Sequence, residues 1–264
     1  MVARRSAVQA FRAASALSLL PLIALVGVSE APTAHAAGFG LEDDSAVVIG
    51  SDGVIYSLNL ATAAATAGQT ISNDTFTYLV SGLEANPSND TLFAVNQASA
   101  PNTNVLASVV TTTGVSTFIE NDYGADHVLN GIDRSDSGTT YLSLNPDSND
   151  GSTNYLATVD LTTGVYVSVG ATNLGGVNKI LVAIASVDDV VYGFALAETD
   201  AVYSIDATTG GLTLETAATG VLSGVAVVGA DATADGTVYL MAIDDSDDNY
   251  LYFTDLSGTT TLVG

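Results

Sequence analysis

Cysteine and tryptophan are absent from this chain of 264 residues, and basic residues are scarce. The absence of cysteine excludes thiol nucleophiles, disulfides and lipid attachment after export. The sequence has 5 Lys and Arg residues against 29 Asp and Glu residues, a formal charge of −24. Because such a surface repels phosphate backbones and anionic lipid headgroups, we expect neither nucleic acid nor a membrane surface as a partner.

Most of the basic residues lie near the N terminus, where Arg4, Arg5 and Arg12 precede an apolar run over residues 17–28. The run is too short to span a bilayer, which requires about 20 residues. The small-x-small sequence Ala34-His35-Ala36 follows it. This order of features predicts a bacterial signal peptide over residues 1–36, with a membrane anchor as the alternative. We expect residues 37–264 to be a secreted, monomeric single domain without membrane contact.

A more acidic domain remains after this segment, since 28 acidic and 2 basic residues follow it and give a formal charge of −26. An acidic surface favours solubility and attracts cations. Without disulfides, a secreted domain must bury a substantial core. Long stretches alternate apolar and polar residues, and Ala, Val, Leu, Thr and Tyr are abundant, without a convincing helical period. This composition predicts an all-β fold.

Threonine-glycine turns recur at intervals of 46 to 50 residues and place four glycines in equivalent positions, Gly114, Gly164, Gly210 and Gly258. Each turn follows an alternating apolar stretch, as in AVYSIDATTGGLTL at 201–214. A second phrase alternates with the first and consists of an apolar strand, an acidic loop and an aromatic strand. The two phrases together give five sets of four strands, which begin near Gly38, Tyr78, His127, Asn178 and Gly220.

These five sets predict a five-bladed β-propeller of four-stranded antiparallel blades. The alternative is a β-solenoid, but its rungs are shorter, about 20–30 residues, and hairpin turns favour antiparallel pairing. No predicted blade combines strands from both ends of the chain. Closure of the ring must therefore depend on apolar packing of the first blade against the fifth.

The repeated phrases resemble the blades of secreted bacterial propellers, including the NHL type and families of unknown function. The resemblance rests on the pattern G-[IL]-[DE], an aromatic strand and Y-x-[IV]-D-x-x-T-G, and it extends over residues 37–264. It implies that the first strand of each blade lines a central channel and that the last strand lies outside. It concerns architecture alone, since five-bladed propellers serve as scaffolds for both glycosidases and lectins.

Carboxylates are the catalytic groups that remain after the exclusions. His127 is the only histidine beyond residue 36, which excludes a multi-histidine zinc site, and nucleophile-elbow, P-loop and dinucleotide-binding patterns are absent. We aligned the repeats on Gly40, Gly82, Gly131, Ala183 and Gly224. Two positions later stand Glu42, Glu84, Asp133, Ala185 and Ala226. The three carboxylates Glu42, Glu84 and Asp133 are the catalytic candidates.

Rare residue types form a second group, which we predict to bind a ligand: Tyr78, His127, Arg134 and Lys179. The first two and Lys179 lie four positions before the aligned residues, whereas Arg134 lies beside Asp133. Six residues of strand separate His127 from Asp133, about 20 Å, so an aromatic and basic end is distinct from an acidic end. The alternative is structural, with acids that cap turns and bases that offset an acidic field.

Two acidic loops, 147–151 and 245–249, alternate oxygen-bearing side chains as calcium loops do. Neither has the full EF-hand spacing. The hypothesis of a calcium ion names Asp245, Asp247 and Asn249 as its ligands, and no other cofactor is predicted.

The sequence favours a secreted, non-catalytic binding module that recognises a glycan, a peptide or a protein. One alternative is a carboxylate-based glycoside hydrolase, which needs two carboxyl groups about 5–10 Å apart in a pocket. The other is a structural extracellular protein whose acidic shell keeps it dispersed. The sequence alone is compatible with both an enzyme and a non-catalytic protein.

Overall fold

The computed structural model describes five groups of strands and the turns that join them. The described residues are 24–26, 45–50, 53–71, 80–86, 90–96, 105–120, 123, 128–145, 154–195, 201–217, 225–233, 235–244, 248–256 and 259–264. Every regular element among them is a β-strand, which confirms the all-β prediction. No helix in these ranges is long and apolar enough to cross a membrane.

Five antiparallel sheets of four strands follow one another along the chain, each with its strands in sequence order. The first blade contains β1 (Ala24–Val26), β2 (Ser45–Ile49), β3 (Val54–Asn59) and β4 (Ala65–Thr70). The second contains β5 (Val80–Ala85), β6 (Thr91–Asn96), β7 (Val105–Val110) and β8 (Ser116–Glu120). The third contains β9 (Val128–Arg134), β10 (Thr140–Asn145), β11 (Tyr155–Val159) and β12 (Tyr166–Ala171).

A short hairpin separates the third and fourth blades, formed by β13 (Asn173–Leu174) and β14 (Val177–Asn178). The fourth blade contains β15 (Leu181–Val187), β16 (Val190–Ala195), β17 (Ala201–Ile205) and β18 (Leu212–Ala217). The fifth contains β19 (Val225–Ala232), β20 (Val238–Asp244), β21 (Asn249–Thr254) and β22 (Thr260–Leu262).

The first strand of each blade is the inner strand of the ring. The inner strands β1, β5, β9, β15 and β19 contact one another in this order, and β19 returns to β1. Inner strands that are not neighbours, such as β5 and β15, also have Cα atoms within 8 Å of each other. This arrangement confirms the five-bladed propeller and makes the space along its axis narrow.

The inner strand of the first blade comes from an unexpected part of the sequence. The repeat pattern places the start of this blade near Gly38, whereas β1 is Ala24–Val26 and pairs with Val47–Ile49 of β2. The strand therefore lies inside the segment predicted as a signal peptide, and the cleavage of that segment stays a prediction. Gly38 itself lies outside the described residues.

Each of the other four inner strands contains a β-bulge at the same level. At the bulge, one residue of the inner strand has no partner on the next strand. The residue directly after it is Gly82 in the second blade, Gly131 in the third, Ala183 in the fourth and Gly229 in the fifth. A Cβ on Gly82 would lie 2.8 Å from the backbone nitrogen of Ile132, and one on Gly131 would lie 3.0 Å from that of Ile184. Glycine thus permits backbone contact between neighbouring inner strands. We call this level the neck.

The threonine-glycine turns join the third and fourth strands and pack against the preceding blade. In one of them, Asp206 Oδ1 accepts hydrogen bonds from the backbone N–H groups of Thr208 (2.8 Å) and Thr209 (3.2 Å). Gly210 follows with a φ of 75°, and a Cβ there would lie 2.5 Å from the carbonyl carbon of Gly170 in β12. The repeated phrase therefore encodes a capped turn together with a contact between blades.

Apolar packing between the first and fifth blades closes the ring, as the sequence predicts. The buried cluster at this junction joins Val48 and Leu58 of the first blade to Met241 and Leu251 of the fifth. Gly264 lies against a turn of the first blade, where a Cβ on it would be 3.0 Å from the Cβ of Ala63. No disulfide contributes, since the chain has no cysteine.

Candidate functional site

Three carboxyl groups lie two residues beyond the neck, on three different inner strands. Glu84 belongs to β5, Asp133 to β9 and Asp231 to β19, each at the same distance from its bulge. The equivalent position in the fourth blade is Ala185. We call Glu84, Asp133 and Asp231 the axial cluster. Glu42, the third acid of the sequence prediction, lies outside the described residues.

The sequence alignment missed Asp231 because it used Gly224 for the fifth blade, and this choice was wrong. The register places Gly229 opposite Met241, as Gly131 is opposite Ser143. Asp231, and not Ala226, therefore occupies the carboxylate position. A signal was present in the sequence, since a tyrosine of the next strand follows Gly131 and Gly229 by ten residues but follows Gly224 by fifteen.

Burial dominates the electrostatics of the axial cluster. Only 8% of Glu84, 5% of Asp133 and 7% of Asp231 is exposed. Burial raises the pKa of Asp133 to about 7. Burial, followed by repulsion from Asp133, also raises the pKa of Glu84 and of Asp231 well above the usual range. The cluster therefore retains protons near neutral pH.

Backbone groups of the following blade face two of these carboxyl groups. The N–H of Arg134 donates to Glu84, and the N–H of Ser186 donates to Asp133, so that β5 is linked to β9 and β9 to β15. The side chain of Ser186 also faces Asp133, and its hydrogen bond lowers the pKa of that carboxyl against the effect of burial. Ser186 carried no sequence signal.

The axial cluster lies at the end of the inner strands where loops lead to the second strands. These loops and the turns between the third and fourth strands form one face of the ring. Its exposed aspartates include Asp136, Asp188, Asp189, Asp206 and Asp235. We call it the acidic face.

Hydrogen bonds keep several of these aspartates ionised. Asp189 Oδ1 accepts a hydrogen bond of 2.7 Å from the backbone N–H of Ser137, which joins the loops of two blades and lowers the pKa of Asp189. The hydroxyl of Thr233 donates to Asp235 (2.6 Å) and lowers the pKa of that carboxyl. The acidic face therefore keeps its negative charge at neutral pH, unlike the buried cluster beneath it.

The two basic residues beyond residue 36 occupy different places. Arg134 is exposed next to Asp133, and its guanidinium lies against Gly138, where a Cβ would be 3.2 Å from a terminal nitrogen. Its charge lowers the pKa of Glu84 and opposes the effect of burial. Lys179 lies at the opposite end of the fourth inner strand, with Nζ 5.8 Å from the centroid of the Tyr203 ring. Arg134 thus lies beside the axial cluster, whereas Lys179 lies away from it at the other end of the propeller axis.

Two predicted ligand-binding residues, Tyr78 and His127, lie outside the described residues, as do Asp245 and Asp247 of the predicted calcium loop. Asn249 begins β21, and its Oδ1 is buried without a hydrogen-bond partner in the described ranges. Asp244 accepts hydrogen bonds from the Asp248 N–H (3.0 Å) and the Tyr250 hydroxyl (3.2 Å). No group of three or more His, Cys, Asp or Glu residues within the described ranges is placed to hold a metal ion.

No protein-family model and no curated protein matches the sequence significantly. Several solved structures share its fold. A protein of Bifidobacterium bifidum assigned as an exo-β-1,3-galactanase has a TM-score of 0.56 and 11% identity, with 93% of this chain and 91% of that chain covered. A glutaminyl cyclase of Myxococcus xanthus has a TM-score of 0.51 and 14% identity, with 84% and 86% covered.

The calcium-binding protein regucalcin of Agrobacterium tumefaciens has a TM-score of 0.50 and 14% identity, with 92% of this chain and 74% of that chain covered. At these identities the similarity shows the propeller fold alone. Enzymes and a calcium-binding protein both occur among the neighbours, so the fold does not select an activity.

Proposed function

We propose that this protein is a secreted, non-catalytic binding module that captures a positively charged segment of a peptide or protein on its acidic face. The observation that supports this function most directly is the arrangement of acidic groups along the axis of the ring. Exposed aspartates on the loops of three neighbouring blades form the acidic face, and the buried carboxyl groups of the axial cluster lie below them.

The charge of the whole chain supports the same ligand class. A formal charge of −24 attracts cationic groups over a long range, and the aspartates around the axis concentrate that attraction at one place. Such an interaction weakens as salt screens it, with a Debye length of about 10 Å at 0.1 M ionic strength. Affinity for a basic segment should therefore decrease steeply with salt.

Burial argues against the glycoside hydrolase alternative. A hydrolase of this type holds a sugar ring between two carboxyl groups in an open pocket. Glu84 and Asp133 are more than nine-tenths buried, on strands whose backbones touch at the neck. A sugar ring reaches them only if the inner strands separate.

The structural alternative explains part of the cluster. Glu84 and Asp133 each receive a backbone N–H from the next blade, which is a stabilising role. This role concerns the buried groups and leaves the exposed Asp136 and Asp188 of the acidic face for a ligand.

A binding measurement with synthetic peptides tests the proposed function. We expect a lysine–glycine repeat peptide to bind at low salt and a glutamate–glycine peptide of equal length not to bind. Joint replacement of Asp136, Asp188 and Asp235 by asparagine should weaken binding, whereas Glu215→Gln on the exposed outer strand β18 should not. Failure of the lysine peptide to bind, or equal binding by the triple variant, would contradict the proposal. Release of reducing sugar from a polysaccharide would favour the hydrolase instead.

A further inference from the structure

We propose that residues 38–43 replace β1 at the inner edge of β2 once residues 1–36 have been removed. The inference goes beyond the proposed function, because it concerns how the ring is completed and not what the ring binds. It takes the predicted cleavage after Ala36 as its starting point. The first blade then has two alternative inner strands, which compete for one sheet edge.

β1 lacks the two features that three of the other inner strands share. β5, β9 and β19 each have a glycine at the neck and a carboxyl group two residues later. β1 reads Ala-Leu-Val and has neither a glycine nor an acid. It is also three residues long, whereas the other inner strands have six to eight residues. β1 therefore pairs with the edge of β2 without repeating the pattern of the ring.

Residues 40–42, which lie shortly before β2, have both features. They read Gly-Leu-Glu, as do residues 82–84 of β5, and residues 131–133 of β9 read Gly-Ile-Asp. The middle residue of each described strand is buried, with Leu83 and Ile132 both 2% exposed. Residues 38–43 themselves lie outside the described residues. The shared pattern predicts that this segment fits the inner position of the first blade.

The outer strands show which residue of β2 lies at the level of the neck. Gly82 pairs with Val95, which pairs in turn with Leu106, the second residue of β7. The third blade has the same relation between its neck glycine and the second residue of β11. In the first blade, the second residue of β3 is Ile55, and its partner on β2 is Ile49. A neck glycine in this blade is therefore expected opposite Ile49.

This register places residues 40–42 in the positions that β1 occupies. Leu41 takes the place of Leu25 opposite Val48, in the buried cluster that joins the first blade to the fifth. Glu42 takes the place of Val26, so the exchange brings a fourth carboxyl group to the level of the axial cluster. The pairs of β1 that are replaced are Ala24–Ile49, Leu25–Val48 and Val26–Val47.

Cleavage changes which of the two segments is favoured. In the cut protein β1 belongs to a separate fragment, which dilution removes. Residues 38–43 stay attached to β2, and a connection over residues 43–46 is within the usual length of hairpin loops, about 2–5 residues. Such an attached segment acts at an effective concentration in the millimolar range. An open sheet edge is a site for unwanted pairing, which gives a further reason for the attached strand to cover it.

Introduced cysteines test the exchange without background, because the chain has none of its own. The full chain, with a specific protease site in place of residues 31–36, is folded and then cut. Paired residues of antiparallel strands have Cα atoms about 4.5–5.5 Å apart, within the span of a disulfide, about 4.4–6.8 Å. We expect Leu25→Cys with Val48→Cys to form a disulfide in the uncut protein. Leu41→Cys with Val48→Cys should form one only after the cut.

Two controls accompany these pairs. Leu41→Cys with Leu214→Cys, which is exposed on the outer strand of the fourth blade, should form no disulfide in either protein. Leu41→Ala should lower the melting temperature of the cut protein by about 5 °C or more, since it truncates a buried side chain there. It should change that of the uncut protein by about 2 °C or less. Leu25→Ala should show the reverse pattern.

Three outcomes overturn the inference. A disulfide between positions 41 and 48 before the cut shows that residues 38–43 hold the edge without any exchange. Its absence after the cut, in a protein that stays folded, shows that another segment covers β2 or that none does. Unfolding of the ring on cutting shows that β1 has no replacement.

Discussion

Glu84 and Asp133 occupy the same position in neighbouring inner strands, and the carboxyl group of Glu84 hydrogen-bonds that of Asp133. A hydrogen bond between two carboxyl groups requires a proton on one of them. Because ionised Asp133 raises the pKa of Glu84 further, Glu84 is the member that keeps the proton. The pair therefore carries one negative charge as the pH passes about 7, the pKa of Asp133.

Asp133→Asn should change the dependence of stability on pH. The folded-state pKa of Asp133 is raised from 3.8 to about 7. The favourable contribution of this carboxyl to the free energy of unfolding is therefore fully present below pH 3.8. It is lost progressively as the pH rises towards 7. The asparagine variant has no proton to lose, so it should be more stable than the natural protein above pH 7, by about 2–4 kcal/mol. The two should converge near pH 4.

Urea unfolding between pH 4 and pH 8.5 measures this difference. Asp136→Asn, at an exposed position two residues beyond Arg134, controls for the loss of one negative charge. If the free energy of unfolding depends on pH in the same way for the natural protein and Asp133→Asn, burial does not raise the pKa of Asp133.

Gly82→Ala should destabilise the ring at its neck. The added Cβ would lie 2.8 Å from the backbone nitrogen of Ile132 and 2.9 Å from a methyl group of Val95. Because the first of these atoms belongs to the backbone of the next inner strand, the two blades must separate, at a cost of about 1–3 kcal/mol. Gly211→Ala meets only a side-chain oxygen at 3.3 Å and should cost about 0.5 kcal/mol or less. Equal free energies of unfolding for the two variants would contradict the close approach.

Met241→Ala should weaken the closure between the first and fifth blades. Met241 is 4% exposed and packs with Val48 and Leu58 across the junction. Truncation of such a side chain removes apolar contact and leaves a cavity, which costs about 2–5 kcal/mol. Leu262 is 49% exposed in the same blade, so Leu262→Ala should have an effect within about 0.5 kcal/mol. Calorimetric unfolding of both variants provides the comparison.

Asp206→Ala should lower the melting temperature because the turn at 206–210 loses the acceptor for two backbone N–H groups. Asp206→Asn retains a side-chain oxygen and should retain most of the stability. Hydrogen bonds, first of all from the Thr208 hydroxyl, lower the pKa of Asp206. The stability that ionised Asp206 gives the folded state is therefore present above the unfolded-state pKa and is lost as the pH falls below it. Equal melting temperatures for the alanine and asparagine variants at neutral pH would rule out this capping role.

The architecture was predictable because its signals are local and repeated. The aspartate and glycine of a turn such as Asp206–Gly210 act within five residues, and the third blade repeats both as Asp160 and Gly164. Alternation of apolar residues fixes which strand face is buried, so the strands of the second to fifth blades follow from the pattern, whereas β1 at Ala24–Val26 does not. Closure through Met241 and Leu251 follows because each described blade is built from strands that are consecutive in the sequence.

The candidate site was less predictable because it depends on register. Glu84 and Asp133 share a recognisable glycine two positions earlier, whereas Asp231 becomes equivalent to them only once the bulge at Val228 is known. Ser186 contributes through its backbone N–H and its side chain, both of which face Asp133, and a single serine in a strand indicates neither contact. Composition also cannot show that three acids of a very acidic chain are buried.

The pairing of Ala24–Val26 with Val47–Ile49 ties maturation of the chain to its architecture. A peptidase that cuts after Ala36 would remove the innermost strand of one blade and leave the hydrogen-bonding edge of β2 open at the centre of the ring. A polypeptide cut there needs a substitute strand at that edge, whereas an uncut polypeptide already has one. Mass spectrometry of the N terminus of the protein as the cell produces it thus distinguishes two different completed rings.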